Sequence, residues 1–321
     1  MSRQKNPSQI GMLGYSASTS LWRRVKKHWP YYLIFLPVFV YFIVFRYAPM
    51  YGVLMAFKDY KIRKGIMGSP WLDPWYKNFV RALSSPVFMR AVGNTLEMSL
   101  ARLLIGFWFP IILALLIDEC PFTKFKKTFQ TISYLPYFIS WVILSGILRI
   151  VLSPTTGALN AVLKAFGADP IYFLGEASKF QGVIFWSAQW AGIGYSTIIY
   201  LAAMSNVDPQ LVEAARLDGA SRLKVVWHVT LPAIRPVIVI CLILALRGIM
   251  GGSFDQVFNL YSPGVYETGD IIETYTYRVG LVDHDYSYST AVGLFQSLVG
   301  LAVVLICNFV ARKLDPHSAL F

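Results

Sequence analysis

Six stretches of this chain are apolar for long enough to cross a bilayer, and no other feature narrows its fold as far. They run roughly 31–50, 91–117, 129–152, 182–205, 234–256 and 289–311. Each matches or approaches the ~20 residues that a helix needs to traverse ~30 Å of hydrocarbon. Inside hydrocarbon the backbone must satisfy its own hydrogen bonds, so the choice is helix or closed barrel. A barrel would show segments of about ten residues with alternating polarity, and no such alternation is present. The composition agrees, with 56% hydrophobic and 14% charged residues and a mean hydropathy of +0.52. The chain reads as an all-α polytopic membrane protein with six transmembrane helices. Pro49 and Gly52 argue that the regular part of the first span ends near residue 50, with a weak continuation to Phe57.

Charge sets the direction of insertion. Residues 1–30 carry Arg3, Lys5, Arg23, Arg24, Lys26 and Lys27 and no acid, which holds that end on the cytoplasmic side. Leu21 to Trp29 mixes basic and aromatic residues and suits an interfacial helix. The segment is too polar and too long for a cleaved signal peptide. The resulting organisation is a cytoplasmic basic segment at 1–30, a first transmembrane helix and its exit at 31–57, and an external loop at 58–90. A five-helix core follows at 91–312, with a polar loop at 206–233, and then a cytoplasmic tail at 313–321. Loops 118–128 and 206–233 fall inside; 153–181 and 257–288 fall outside. The external 58–90 loop runs against the charge rule with Lys58, Lys61, Arg63, Lys64, Lys77 and Arg81. An even number of spans and the basic N-terminus outweigh it.

Cys241 and Cys307 lie within spans and Cys120 in an internal loop, so no disulfide is expected. The 29 Lys and Arg residues are scattered over both membrane faces and give no nucleic-acid footprint. No nucleotide-binding Gly-rich loop, metal-ligand cluster or hydrolase elbow is present in the sequence. His28, His228, His284 and His317 are too far apart in topology to share a site; His228 is expected to pack on the 206–233 loop.

That loop is the most specific stretch of the chain. Asp208 is placed as an N-cap with Pro209 at the first helical position, and the first helical half runs to Leu217. A second half runs from Ser221 to Val229. Gly219 sits between them, where a sharp bend needs a residue without a Cβ. Glu213, Ala214 and Ala215, then Asp218, Gly219 and Ala220, then Leu231 and Pro232 resemble the EAA loop of the permeases of ATP-binding-cassette importers. The resemblance implies a coupling helix that docks on a cytoplasmic ATPase subunit, with Glu213 offering a charge and Gly219 setting the bend.

The resemblance extends along nearly the whole chain. Asn94-Thr95-Leu96, Tyr134-Leu135-Pro136 with Ile139-Ser140-Trp141, Leu159-Asn160, and Tyr288 to Gly293 look like the branch that handles oligosaccharides and polysaccharides. Members of that branch carry acidic sugars such as aldouronates and alginate, and an alginate importer is the narrowest expectation. The implied complex holds a second homologous permease, two ATP-binding subunits and a solute-binding protein, in a bacterial inner membrane. This chain is then no catalyst and binds no cofactor, since ATP and Mg belong to the partner ATPase. The competing reading, a secondary transporter or channel working alone, calls for buried acid relays or inverted repeats. Glu97 and Asp255 are the clear intramembrane acids, and no repeat is evident.

A sugar-conducting path needs aromatic faces and hydrogen-bonding side chains. Gln189, Trp190, Gly192 and Tyr195 lie within two turns of the fourth span, and Gly251, Gly252, Ser253, Phe254 and Gln256 form a small polar patch in the fifth. Trp190, Gly192 and Tyr195 are similar in spacing to pocket positions of a maltose-type permease. Trp190 and Tyr195 are equally the kind of residue that packs helices or forms an interface belt. Arg102 and Arg247 sit mid-span, where a charge must face a cavity or a partner. Arg247 reads as pathway or structure in equal measure. Arg102 reads as structural, paired for instance with Glu97.

Overall fold

The computed structural model describes residues 26, 28–246 and 248–314. The basic segment before residue 26, Arg247 and the tail from 315 lie outside the described residues, and with them most of the expected interfacial helix. The chain divides at Gly52 and Val53 into two units. In the first, α1 (Trp29–Phe42) starts with Pro30 in its first turn, where a missing N–H costs nothing. A π turn, Ile43–Tyr47, and a 3-10 stretch, Ala48–Phe57, follow it. Helical backbone thus runs on through Pro49 and Gly52, but no longer as an α-helix.

The second unit is helical throughout, and one bridge between Lys58 and Trp71 is its only strand-like pairing among the described residues. Its elements are α2 (Lys77–Leu83), α3 (Pro86–Asp118), α4 (Thr123–Phe138), α5 (Trp141–Val151), α6 (Ala158–Ala165) and α7 (Ala177–Met204). Then come α8 (Pro209–Leu217), α9 (Arg222–Leu246), α10 (Phe254–Leu260), α11 (Ile272–Tyr277) and α12 (Tyr286–Leu314). Four helical stretches are long and apolar enough to span: Trp29–Phe57, α3, α9 and Tyr286–Ile306 within α12. α7 is as long, with 28 residues or about 42 Å, but less apolar because Ser187, Gln189 and Thr197 face inward.

The third expected span, 129–152, is not one straight helix. α4 and α5 meet at 106°. Leu135–Phe138 tightens into a 3-10 turn around Pro136, and Ile139 and Ser140 are extended, which is how a chain leaves a helix near a proline. The fifth expected span, 234–256, also breaks: α9 stops at Leu246 and a new helix starts at Phe254.

α7 is the spine. Near its start Phe180 and Ile184 pack with Leu152, Leu174, Val257, Leu260 and Ile271. Near its end Tyr200 and Met204 pack with Ile111, Ala114 and Ile234. A third cluster joins Phe88, Ala91, Met250, Ile272, Tyr275, Tyr288 and Val292. Buried amides bind the loops to this frame. Asn94 donates to the carbonyls of Glu267 and Asp270 at 3.1 and 3.0 Å. Asn160 donates to Ser153 and Ile171 carbonyls at 3.0 Å and accepts from the Ile171 N–H at 2.8 Å.

The basic 58–90 segment spends much of its charge internally. Lys58 is 3% exposed, donates to the carbonyl of Ile66 at 2.9 Å and sits over the Trp71 ring. Arg81 pairs with Asp285 at 2.6 Å and covers Tyr288, and Lys61 pairs with Asp59 at 3.4 Å. Its cations are therefore weaker pointers to an anionic cargo than their number suggests. His228 is exposed, with Nδ1 3.0 Å from the Lys224 carbonyl one turn back in the same 206–233 segment.

Candidate functional site

A cavity of about 720 Å³ opens where the α9–α10 break faces α3 and α7. Two glycines make the break possible. Gly252 adopts φ +90°, a conformation open to glycine and costly to other residues. At Gly251 a Cβ would press on the carboxylate of Glu273 and the amide of Gln296. The opened backbone is then held by side chains from elsewhere. Glu273 of α11 accepts from the Gly252 N–H at 2.8 Å and the Ser253 N–H at 3.1 Å. The Gln296 amide of α12 donates to the Met250 carbonyl.

Arg102 completes this arrangement. It lies at the start of a π turn, Arg102–Gly106, in α3, and such turns often mark functional sites. Its guanidinium donates to Ser253 Oγ and, at 3.1 Å, to Gln256 Oε1. The Gln256 amide donates onward to the Ile184 carbonyl at 2.7 Å and Ser187 Oγ at 2.9 Å. One chain of polar contacts thus ties α3, α7, α10 and α11 together through the break. Arg102 Nε is buried with no hydrogen-bond partner, a cost of the kind that functional sites retain. Glu273 accepts from the N–H of the same Ser253 whose Oγ accepts from Arg102, so the two opposite charges share one residue as a bridge. The pairing expected with Glu97 does not form. Five residues apart on a helix, the two point to different faces, and Glu97 accepts instead from Gln181 Nε2 at 3.2 Å.

Of the pathway residues expected from sequence, Gln189, Gly192, Ser253, Phe254 and Gln256 line this cavity. Trp190 and Tyr195 do not. Trp190 is rotated off the Gln189–Gly192 face and is 47% exposed; Tyr195 stacks on Tyr137 with centroids 3.9 Å apart. Arg247 lies outside the described residues. Sequence reasoning missed Glu273, Trp141 and Gly106 as lining residues and favoured a structural role for Arg102 over a place on the pathway. The signal for Arg102 was its mid-span charge; for Gly106 there was none, although a Cβ there would collide with the Gln189 amide. A second cavity of about 470 Å³ shares Trp141, Ala188, Gly192 and Asp255 with the first.

The 206–233 loop forms the other candidate site. Asp208 accepts from the Gln210 N–H at 2.9 Å, and Pro209 opens α8. At the far end Gly219 takes φ +80°. The Ala220 N–H reaches back to the Ala215 carbonyl at 3.0 Å and the Gly219 N–H to the Arg216 carbonyl at 3.1 Å, the Schellman closure of a helix end. The second half is no separate helix. Ser221 precedes α9, whose first turns are α-helical and then π, and which continues unbroken to Leu246. Glu213, Ala214, Asp218 and Gly219 are exposed, and Ala215 and Ala220 are half-buried. Leu217 and Leu223 are 88% and 81% exposed, so the bend presents apolar side chains and a carboxylate on one small surface. α9 connects this surface to the cavity over 25 residues, about 37 Å, through a π turn at Val226–Thr230 and with Pro236 inside it.

Residues 29–318 match the family of the binding-protein-dependent transport system inner membrane component. The polygalacturonan/rhamnogalacturonan transport system permease protein YteP of Bacillus subtilis is 43% identical over 89% of this chain and 89% of its own length. Protein LplB of the same organism is 39% identical over 89% of this chain and 90% of its own. A chain from the crystal structure of a bacterial ABC transporter involved in the import of the acidic polysaccharide alginate superposes with a TM-score of 0.85. It is 40% identical over 92% of this chain and 99% of that one. A second structure of a bacterial alginate ABC transporter, in complex with alginate pentasaccharide-bound periplasmic protein, matches equally well, at TM-score 0.85 and 40% identity. The extent of these matches settles kinship: this chain is a multi-pass membrane permease of the binding-protein-dependent transport family.

Proposed function

We propose that this permease pairs with a second, related permease to form the membrane pathway of an ATP-driven importer for an acidic oligo- or polysaccharide. A solute-binding protein delivers the sugar from outside. Two ATP-binding subunits drive the cycle from the cytoplasmic side, where the surface around Gly219 docks, and this chain itself catalyses nothing. The protein lies in the bacterial inner membrane with both termini inside. The observation that carries the reading is the likeness to the alginate importer at 40% identity over 92% of the chain, and the name of YteP, a transporter of polygalacturonan and rhamnogalacturonan, points to the same class of cargo.

The geometry supports a mechanism. Residues that touch the docking surface begin α9, and the residues that end it open the cavity. A movement at Glu213 to Ala220 therefore shifts Gly251 to Gln256 against Arg102 and Gln189. A switch of this type needs two packings of similar energy, and the polar network at the break has partners to exchange where an apolar seam has none. Gln189, Gln256 and Ser253 offer hydrogen bonds to sugar hydroxyls, Phe254 and Trp141 offer ring faces, and Arg102 is a cation that lines the cavity and could meet a uronate carboxylate.

The test is reconstitution with the second permease, the ATPase and the binding protein, followed by uptake of labelled uronate oligosaccharides. Uptake that requires ATP and the binding protein is expected; uptake by this chain alone would overturn the reading. Orientation is checked by single cysteines in a cysteine-free background. Phe166→Cys and Gly264→Cys should react with an impermeant thiol reagent in intact cells, and Ser221→Cys only after lysis. Labelling of position 221 from outside would invert the topology.

A further inference from the structure

Five aromatic rings form a continuous track that starts at the cavity and leads away from it. Phe254 lines the cavity and stacks on Phe258, one turn further along α10, with centroids 5.0 Å apart and planes at 19°. Tyr277 of α11 closes against both, at 5.5 and 4.9 Å. Phe258 meets Tyr261 at 5.9 Å, and Tyr261 meets Tyr266 at 5.1 Å. All five are partly exposed. The neighbouring pair Tyr275 and Tyr288 shows what core aromatics look like in this fold: 7% and 2% exposed, with their hydroxyls 3.1 Å apart.

Beyond Tyr266 the track ends at Arg278, whose guanidinium lies 4.5 Å above the Tyr266 ring and pairs with Asp270 at 2.5 Å. Burial alone would lower the Arg278 pKa, but the hydrogen bond and the charge of Asp270 outweigh it and raise it above its ordinary value. The cation is thus fixed and already neutralised. What the track offers is ring faces and tyrosyl hydroxyls, with no net charge.

We propose that the row Phe254, Phe258, Tyr277, Tyr261 and Tyr266 is a slide on which a pyranose chain passes between the Arg278 end and the cavity. This rests on the reading that the cargo is an oligosaccharide. A pyranose has an apolar face of C–H bonds and a rim of hydroxyls, so it stacks on aromatic rings and bonds to the hydroxyls between them. The ring-to-ring steps of 4.9 to 5.9 Å are of the size of one sugar ring. Successive units of a chain therefore meet equivalent contacts. A series of similar weak sites lets a ligand enter and leave, where one strong site would trap it. The slide acts on chain length, while charge is read elsewhere.

The reconstituted complex tests this with uronate disaccharide and hexasaccharide as cargo. Phe258→Leu keeps apolar volume and removes the ring; Phe258→Trp keeps a ring. Phe258→Leu should lower hexasaccharide uptake at least fivefold and disaccharide uptake less than twofold, and Phe258→Trp should restore most of the hexasaccharide rate. All complexes are first shown to assemble by co-purification with the second permease. Equal losses for both lengths, or a Phe258→Trp variant as poor as Phe258→Leu, would mean that the rings are packing only and would overturn the slide. A parent complex that takes up neither sugar would instead overturn the cargo reading on which the slide rests.

Discussion

Two bends at glycines of positive φ, at Gly219 with +80° and at Gly252 with +90°, lie at the two ends of α9. They are built in opposite ways. The first is self-sufficient: Asp208 caps one end of α8, and backbone bonds from Gly219 and Ala220 close the other. Its outer surface is left open, with Leu217 88% exposed. The second cannot stand alone. Its amides are held by Glu273, its carbonyl at Met250 by Gln296, and its following helix by Arg102. The first bend keeps its own backbone satisfied and offers its side chains, as suits the docking role proposed for it. The second borrows its partners from other helices, so that moving a helix would change the bend, as the proposed mechanism needs.

The largest expected effect is at the second bend. Glu273→Leu removes the acceptor of two N–H groups within the membrane frame. The Ser253 amide is part-buried and would be left unsatisfied, while the exposed Gly252 amide can turn to water, so a loss of about 1–3 kcal/mol of stability is expected, read as a clear drop in the melting temperature of the purified permease complex in detergent. Glu273→Gln keeps one acceptor oxygen and should lose less than half as much. If Glu273→Leu melted with the parent, the second bend would be as self-sufficient as the first and the contrast would fail.

Arg102→Leu sharpens the same contrast through function. Removing a buried cation also removes its desolvation cost but strands the buried Gln256 Oε1, so stability should fall by about 1–3 kcal/mol. Uptake of an acidic oligosaccharide should fall at least tenfold per assembled complex, with Arg102→Lys intermediate, since a point charge replaces the two-pronged grip on Ser253 and Gln256. Unchanged uptake in Arg102→Leu would reduce Arg102 to a fastening.

The two bends also differ in how far they are legible in sequence. The first is local: Asp208, Pro209 and Gly219 lie within twelve residues, and each acts through backbone rules that a linear reading can apply. The break at the second was hidden by apolarity, because Ile249 and Met250 continue the hydrophobic run, and the span was drawn straight through to 256. The partners of Arg102 lie 151 and 154 residues away, a distance at which only tertiary structure decides. Gln189, Trp190, Gly192 and Tyr195 were grouped by their closeness along the fourth span; Gln189 and Gly192 line the first cavity, while Trp190 is turned outward and Tyr195 is taken up by Tyr137. Tyr134-Leu135-Pro136 and Ser140 were noticed as a pattern and not as the 106° turn that they form. Lys58 looked like surface charge and is buried. The all-helical, multi-span character came through because membrane spans are announced by length and apolarity, with four long apolar stretches among the described residues, or five counting the bent pair, whereas breaks within spans follow from packing.

At the first bend the expected effects are smaller in stability. Gly219→Val forces a β-branched residue to φ +80° or straightens the turn, at about 1–2 kcal/mol. No atom lies within 4 Å of a Cβ built there, so the cost is conformational and the chain should still insert and assemble. Binding-protein-stimulated ATP hydrolysis should fall at least tenfold, because the surface carrying Glu213 and Leu217 is then misdirected. Full stimulation would mean that this bend is not where the motor engages.

The smallest effect tests whether the first bend is as independent as its bonds imply. Asp208→Ala removes the N-cap of α8 and should cost about 1 kcal/mol, while Asp208→Asn, which keeps an acceptor, should cost a few tenths at most. The Asp208 carboxylate accepts from the Gln210 N–H two residues on, so the loss should stay local. Hydrogen exchange should speed up in Pro209–Leu217 and remain unchanged at Gly252 and Ser253. The double variant Asp208→Ala with Glu273→Gln should then show additive losses, as sites do that share no partners. A coupling energy clearly above ~0.5 kcal/mol in that double-variant cycle would show that the two bends communicate already in the resting protein, through α9, before any ATPase is bound.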